Sequence, residues 1–213
     1  KSGGSLTQSS LLLLGPDVNE GYVSPIINLS QTTSASYLLM ASLDISRRNL
    51  ALRGHDSFAK VAEMSQYARE EINEIGGYYA YGRELINGGS VYDFDVTKLA
   101  VHTQSIGLAG IEVYDLLRDE YDIQIEFGDI NNILAYISIG DHIQDIERLV
   151  GALADIRRLY AQPQRTLFSA EYITPAVVTT PQKAFYADKE AVPIRQCAGR
   201  ICSEFVMCYP PGI

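Results

Sequence analysis

Apolar positions along the chain fall into a succession of distinct periods. Leu6 and the run Leu11–Leu14 give residues 6–14 the look of a buried strand, closed by Gly15-Pro16. Residues 18–30 carry a weak helical pattern with Pro25 inside it. Over 36–53 the positions Leu39, Leu43, Ser46 and Leu50 recur at three-and-four spacing, and Gly54 stands where a C-terminal cap belongs. A second helix is expected to start near Asp56, an N-cap residue, and to bury Val61, Met64, Ala68, Ile72 and Ile75 before Gly76-Gly77 breaks it. These two long helices should cross a boundary between domains.

Beyond residue 78 the period shortens. Tyr78–Tyr81 suits a short strand, 82–93 a loop or short strand pair, and 96–103 a strand in which Leu99 and Val101 alternate with Ala100 and His102. Tyr114, Leu117 and Tyr121 put 109–121 in a helix. Ile123, Ile125 and Phe127 alternate with polar neighbours as a half-buried strand, which turns Glu126 away from the apolar layer. Asn132–Ser138 is a more fully apolar strand. A last helix, capped by Asp141, bears Ile143, Ile146, Leu149, Val150, Leu153, Ile156 and Leu159. This order describes a small α+β domain over about 80–160. After Gln162-Pro163-Gln164 five prolines punctuate a loop-rich segment.

Composition narrows the function classes. Hydrophobic residues make up 46% of the 213 and charged residues 20%, an ordinary globular balance with room for a core. No apolar run approaches the length of a membrane span, and no charged-then-apolar leader pattern is visible. The net charge of −9, from 26 acidic and 17 basic residues, argues against nucleic acid as a partner. It suits a cationic substrate, or serves solubility alone. Cys197, Cys202 and Cys208 match neither a zinc site nor a redox pair, and read as reduced cytosolic thiols packed as small apolar groups. His55, His102 and His142 are spaced for no metal and read as surface or capping residues. The aromatic cluster Tyr78, Tyr79 and Tyr81 reads as strand packing. The opening Lys1 and the turn-like close at Tyr209–Ile213 suggest a piece of a longer protein.

Chemistry enters with short motifs. The opening Lys1-Ser2-Gly3-Gly4-Ser5-Leu6-Thr7-Gln8-Ser9-Ser10 resembles the cofactor-lysine motif of the ornithine/lysine/arginine decarboxylases. Gln31-Thr32-Thr33-Ser34-Ala35-Ser36-Tyr37 resembles a second segment of that family, with Ala35 where proline is usual. Asp95–Leu99, Gly107–Gly110, Asn132–Leu134, Gly199–Glu204 and Tyr209–Ile213 continue the likeness in order, closest to the short bacterial arginine/lysine decarboxylases.

The resemblance implies a pyridoxal 5'-phosphate enzyme with its Schiff-base lysine at Lys1 and phosphate ligands at Thr32 and Thr33, reaching across a dimer interface. Those two hydroxyls would equally serve as a helix N-cap. It also implies that Glu126, with Asp129 a lesser candidate, binds the distal cation of a basic amino acid; the other reading of Glu126 is a solvent-facing strand glutamate. The implied fold combines α/β and α+β parts. Residues 1–78 would end an aminotransferase-like (fold type I) cofactor domain, 79–162 form the small α+β domain, and 163–213 begin a C-terminal decarboxylase domain. The implied activity is decarboxylation of arginine, ahead of lysine or ornithine, to a polyamine-type amine. It would proceed in a cytoplasmic homodimer or larger assembly with shared active sites, and this polypeptide alone would be inactive. Two rivals remain: another enzyme of the same fold, such as an aminotransferase, and a non-catalytic regulatory or interaction module.

Overall fold

A computed structural model describes residues 3–6, 9–31, 34–163 and 176–201. Lys1, Thr32, Thr33, Cys202 and Cys208 lie outside the described residues. The chain divides after residue 165 into two compact units.

In the first unit, helix α1 spans Glu20–Ser30, with Asn19 accepting the Gly21 amide as its cap and Pro25 tolerated inside. Helix α2 then runs unbroken over Tyr37–Ile75, 39 residues, capped by Ser36. The sequence suggested two helices parted at Gly54. An interior glycine costs a helix about 1 kcal/mol, too little to break one held by contacts on both sides. Asp56 faces solvent and pairs with His55, also on the helix surface, instead of capping. The true stop is Gly76-Gly77, where both φ angles are positive (75° and 78°).

The strands are β1 (Tyr79–Ala80), β2 (Lys98–His102), β3 (Phe127–Gly128) and β4 (Asn132–Tyr136). They form one antiparallel sheet in the order β1-β2-β4-β3. Leu99 and Val101 face Ala135 and Ile133 in register, and all four side chains are buried. β4 is not apolar on both faces: Asn132, Leu134 and Tyr136 lie on the sheet's half-exposed face, so the strand alternates. Helices α3 (Gly110–Tyr121) and α4 (Ile143–Tyr160) join α2 around the core, with Val113, Leu117, Ile146, Leu153 and Ile156 buried. Two main-chain approaches depend on glycine. A Cβ on Gly110 would fall on the Asn132 carbonyl, and one on Gly128 would fall on the Gly110 carbonyl. The start of α3 is thereby pressed onto the β3–β4 hairpin, where Ile111 N donates to Asp129 O at 2.8 Å.

Three further expectations change. Residues 9–14 form no strand: Leu11–Leu14 stand 40–83% exposed, and no described strand lies alongside to satisfy their backbone. The run 123–127 shrinks to two strand residues, because buried Gly128 takes the inward place and Phe127 turns out. Asp141 does not cap α4. It closes the turn before it by accepting the Ser138 amide at 2.6 Å, while His142 is the N-cap.

In the second unit, α5 (Pro181–Tyr186) is a short helix capped by Thr180, followed by a 3-10 turn at Ile194–Gln196. Cys197 is exposed, its Sγ donating to the Ile194 carbonyl, so it is not a packed apolar group.

Candidate functional site

The segment 122–126, the end of β4 and the first turns of α4 enclose a groove of about 530 Å³. Its apolar wall is Ile123, Ile137, Ile146 and Leu149; its rim carries Asp122, Glu126, Asp141 and Asp145. Arg148, the one cation on the rim among the described residues, is turned to main chain, donating to the carbonyls of Tyr121 (2.9 Å) and Asp122 (3.3 Å). Asp141 and Asp145 also serve local structure, Asp145 by accepting the His142 amide at 2.9 Å. Glu126 is exposed and has no side-chain partner among the described residues. An apolar-walled groove rimmed by carboxylates can seat an aliphatic chain that ends in a cation.

Asp129 does not line that groove. Its carboxylate accepts the amides of Asn131 (2.7 Å) and Asn132 (2.6 Å) and the Asn132 side-chain amide, which fixes the hairpin turn. The two acids singled out from sequence are therefore not brought together: Glu126 faces the groove and Asp129 holds the turn beyond β3.

Two other groups went unread. Arg69 is 5% exposed and donates to the carbonyls of Tyr81 (2.8 Å), Ser65 (2.9 Å), Val96 (3.0 Å) and Lys98 (2.8 Å). Burial pushes its guanidinium below the usual arginine range, and nearby Glu84 and Asp95 push it back. It ties α2 to the sheet. The available signal was a cation in helical phase with Ser65 and Ile72 on a buried stripe. The second group is the serine pair Ser42 and Ser46 on α2. Ser46 Oγ donates to the Gly3 carbonyl at 2.6 Å, and Leu6 N donates to Ser42 Oγ at 3.2 Å. The signal here was a hydroxyl in the stripe otherwise made by Leu39, Leu43 and Leu50.

Nearer the sheet, Tyr79 donates to Glu84 at 2.6 Å; this bond raises the phenol and lowers the carboxyl. Tyr79 and Tyr81 meet edge-to-face at 5.1 Å. Among the described residues no cluster of metal-ligand type occurs, and no helix is long and apolar enough to cross a membrane.

Residues 1–145 match the Orn/Lys/Arg decarboxylase major-domain family. The chain belongs to this family. Curated relatives agree. An arginine decarboxylase of Bacillus subtilis is 39% identical over 217 residues, covering 100% of this chain and 44% of the relative. One of Halalkalibacterium halodurans is 40% identical over 222 residues with the same coverage. One of Bacillus cereus is 36% identical, with 47% of its length covered. The chain thus spans less than half the length of the curated relatives it matches. A lysine decarboxylase structure from Francisella novicida superposes with a TM-score of 0.61 at 19% identity, over 74% of this chain and 26% of that one. That likeness concerns the fold. The family match runs through α2, the whole sheet and the start of α4, and so takes in the groove.

Proposed function

We propose that this chain forms part of a pyridoxal-phosphate-dependent decarboxylase of a basic amino acid, arginine ahead of lysine and ornithine. The observation that carries the reading is the groove. Among the described residues Glu126 has no side-chain partner and stands over an apolar wall, in a decarboxylase-family chain 39–40% identical to proteins named arginine decarboxylase. Glu126 takes the distal guanidinium or ammonium by a charge-assisted contact, and Asp129 supports it by holding the hairpin.

Of the cofactor's expected ligands, Lys1, Thr32 and Thr33 lie outside the described residues. The adjoining structure fits the group. The turn that follows Lys1 is gripped by Ser42 and Ser46 and contains Gly4 at φ 85°, so the lysine adjoins an anchored turn. Thr32 and Thr33 precede the N-cap of α2, an end that favours phosphate. Held by these residues, pyridoxal phosphate would supply the electron sink that decarboxylation at Cα needs. Lys1 would hold it through an Nζ that must be unprotonated to do so; displaced by the substrate's amine, that Nζ would take up the amine's proton and could return it to Cα. Residues 1–78 then belong to an aminotransferase-like cofactor domain, 79–162 to a small α+β domain and 163–213 to a C-terminal decarboxylase domain. The working unit is a cytoplasmic homodimer or larger assembly with shared sites, and the product is a polyamine-type amine.

Borohydride reduction of the intact protein with pyridoxal phosphate, followed by peptide mapping, should place the label on Lys1. A label on another lysine removes the proposal. Release of CO2 and amine from arginine, with no keto acid formed, separates decarboxylation from transamination. Loss of that turnover in Lys1→Ala separates it from a scaffold role. Glu126→Gln should raise KM for arginine about tenfold or more while leaving the fold intact.

A further inference from the structure

We propose that Ser46, assisted by Ser42, is the positioning residue for the cofactor lysine; this rests on the assignment of Lys1 above. Residues 3–6 form a tight turn laid along one face of α2. Ser42, Ser46 and Leu50 are four apart and so stack on that face. Ser46 is the one residue buried before Val61 among the described residues, at 8% exposure. Its Oγ donates to the Gly3 carbonyl at 2.6 Å. One turn earlier, Ser42 Oγ accepts the Leu6 amide at 3.2 Å and donates to the Leu39 carbonyl at 2.8 Å, which orients its lone pair toward the turn.

The turn is therefore held at both ends by hydroxyls of a single helix. Space there is close. A Cβ on Gly3 would sit 3.1 Å from Leu50 Cδ1 and 3.3 Å from Ser46 Oγ, and Gly4 has a left-handed φ of 85°. Gly4 also lies against Ile139: a Cβ there would sit 3.5 Å from its Cδ1. Ile139 is two residues past Ile137, which lines the acidic groove. The same helix is fixed to the sheet at its other end by Arg69. α2 thus acts as a rod that relates the lysine turn to the groove-bearing sheet, and Ser46 is its contact with the turn. Gly3 is the described residue nearest to Lys1 in the chain, so the contact fixes the end of the turn from which the lysine follows, which matters because small misplacements of a reacting group lose large factors in rate.

The helix carries its own control. Ser65 is fully buried, and its Oγ has no hydrogen-bond partner among the described residues. Ser65→Ala removes a hydroxyl of the same kind from the same helix without touching the turn.

Ser46→Ala, Ser46→Thr, Ser42→Ala and Ser65→Ala are made in the intact protein and compared by amide exchange over residues 3–6. The visible band of the lysine-bound cofactor is recorded at saturating pyridoxal phosphate. Ser46→Ala should speed exchange in the turn about five- to tenfold, as loss of one hydrogen bond predicts, and should weaken or shift the band. It should lower kcat more than it changes KM for the amino acid. Ser42→Ala should do the same to a smaller degree, Ser46→Thr should restore the band, and Ser65→Ala should match the unmodified protein. If the label maps to Lys1 in every variant while exchange and band in Ser46→Ala equal those of Ser65→Ala, the positioning role is overturned and the cofactor assignment stands. If the label maps to another lysine, both are overturned.

Discussion

Residues 61–163 and residues 9–52 are built on opposite terms. In the first region Val61, Ile72, Leu99, Leu117, Ile133, Leu153 and Ile156 close into one core at 0–1% exposure. In the second, α1 buries no residue, and Leu13, Leu29 and Tyr37 stand 83–86% exposed. Composition runs the other way. Between Ser2 and Leu43 the only charges are Asp17 and Glu20. A stretch so poor in charge has the makeup of an interior, yet among the described residues most of its large apolar side chains stay exposed. The contrast teaches that hydrophobicity states how much surface should be buried, while only partners in space state whether it is.

The comparison can be broken by substitution, measured by chemical denaturation of the chain. The largest effect should come from the core. Leu99→Ala, at 0% exposure between strands and helices, should cost about 3–4 kcal/mol. Gly110→Ala comes next at about 2–3 kcal/mol, since its Cβ meets main chain that cannot move aside. Tyr78→Phe should cost about 1 kcal/mol, because the phenol donates to the Leu153 carbonyl at 3.0 Å inside the core. It should also alter alkaline stability. Burial holds the Tyr78 phenol well above its ordinary value of 10.0. The unfolded chain therefore loses that proton first, so the contribution is complete below pH 10 and is lost as pH rises above it. Tyr78→Phe should flatten that part of the decline. The smallest effect should be Leu29→Ala, at 86% exposure, within about 0.5 kcal/mol. A cost there equal to that of Leu99→Ala would erase the distinction between the regions.

Much of the fold was legible. The stripe from Val61 to Ile75, the Gly76-Gly77 stop, strand 98–102, and helices 110–121 and 143–160 follow from local periodicity and stop signals, which act over neighbouring residues. The errors share a cause. Gly54 and Asp56 carry valid end signals, each too weak to interrupt a helix that is anchored at Ser46 on one side and along Val61–Ile72 on the other. Phe127 was assigned by alternation, and the close approach of Gly128 to Gly110 reversed it. The site divides in the same way. Glu126 could be singled out as a residue, but the groove around it joins three separate segments spread over residues 122–149, and no local pattern encodes that meeting.

By itself the sequence determined the family and the order of most elements, because motifs and periods are properties of neighbouring residues. Tertiary structure alone decided that Asp129 holds a hairpin while Glu126 faces a groove, that Arg69 is buried among carbonyls, and that Ser46 grips the turn beside Lys1. Those roles depend on which distant backbone comes within hydrogen-bond reach, and that is set by packing.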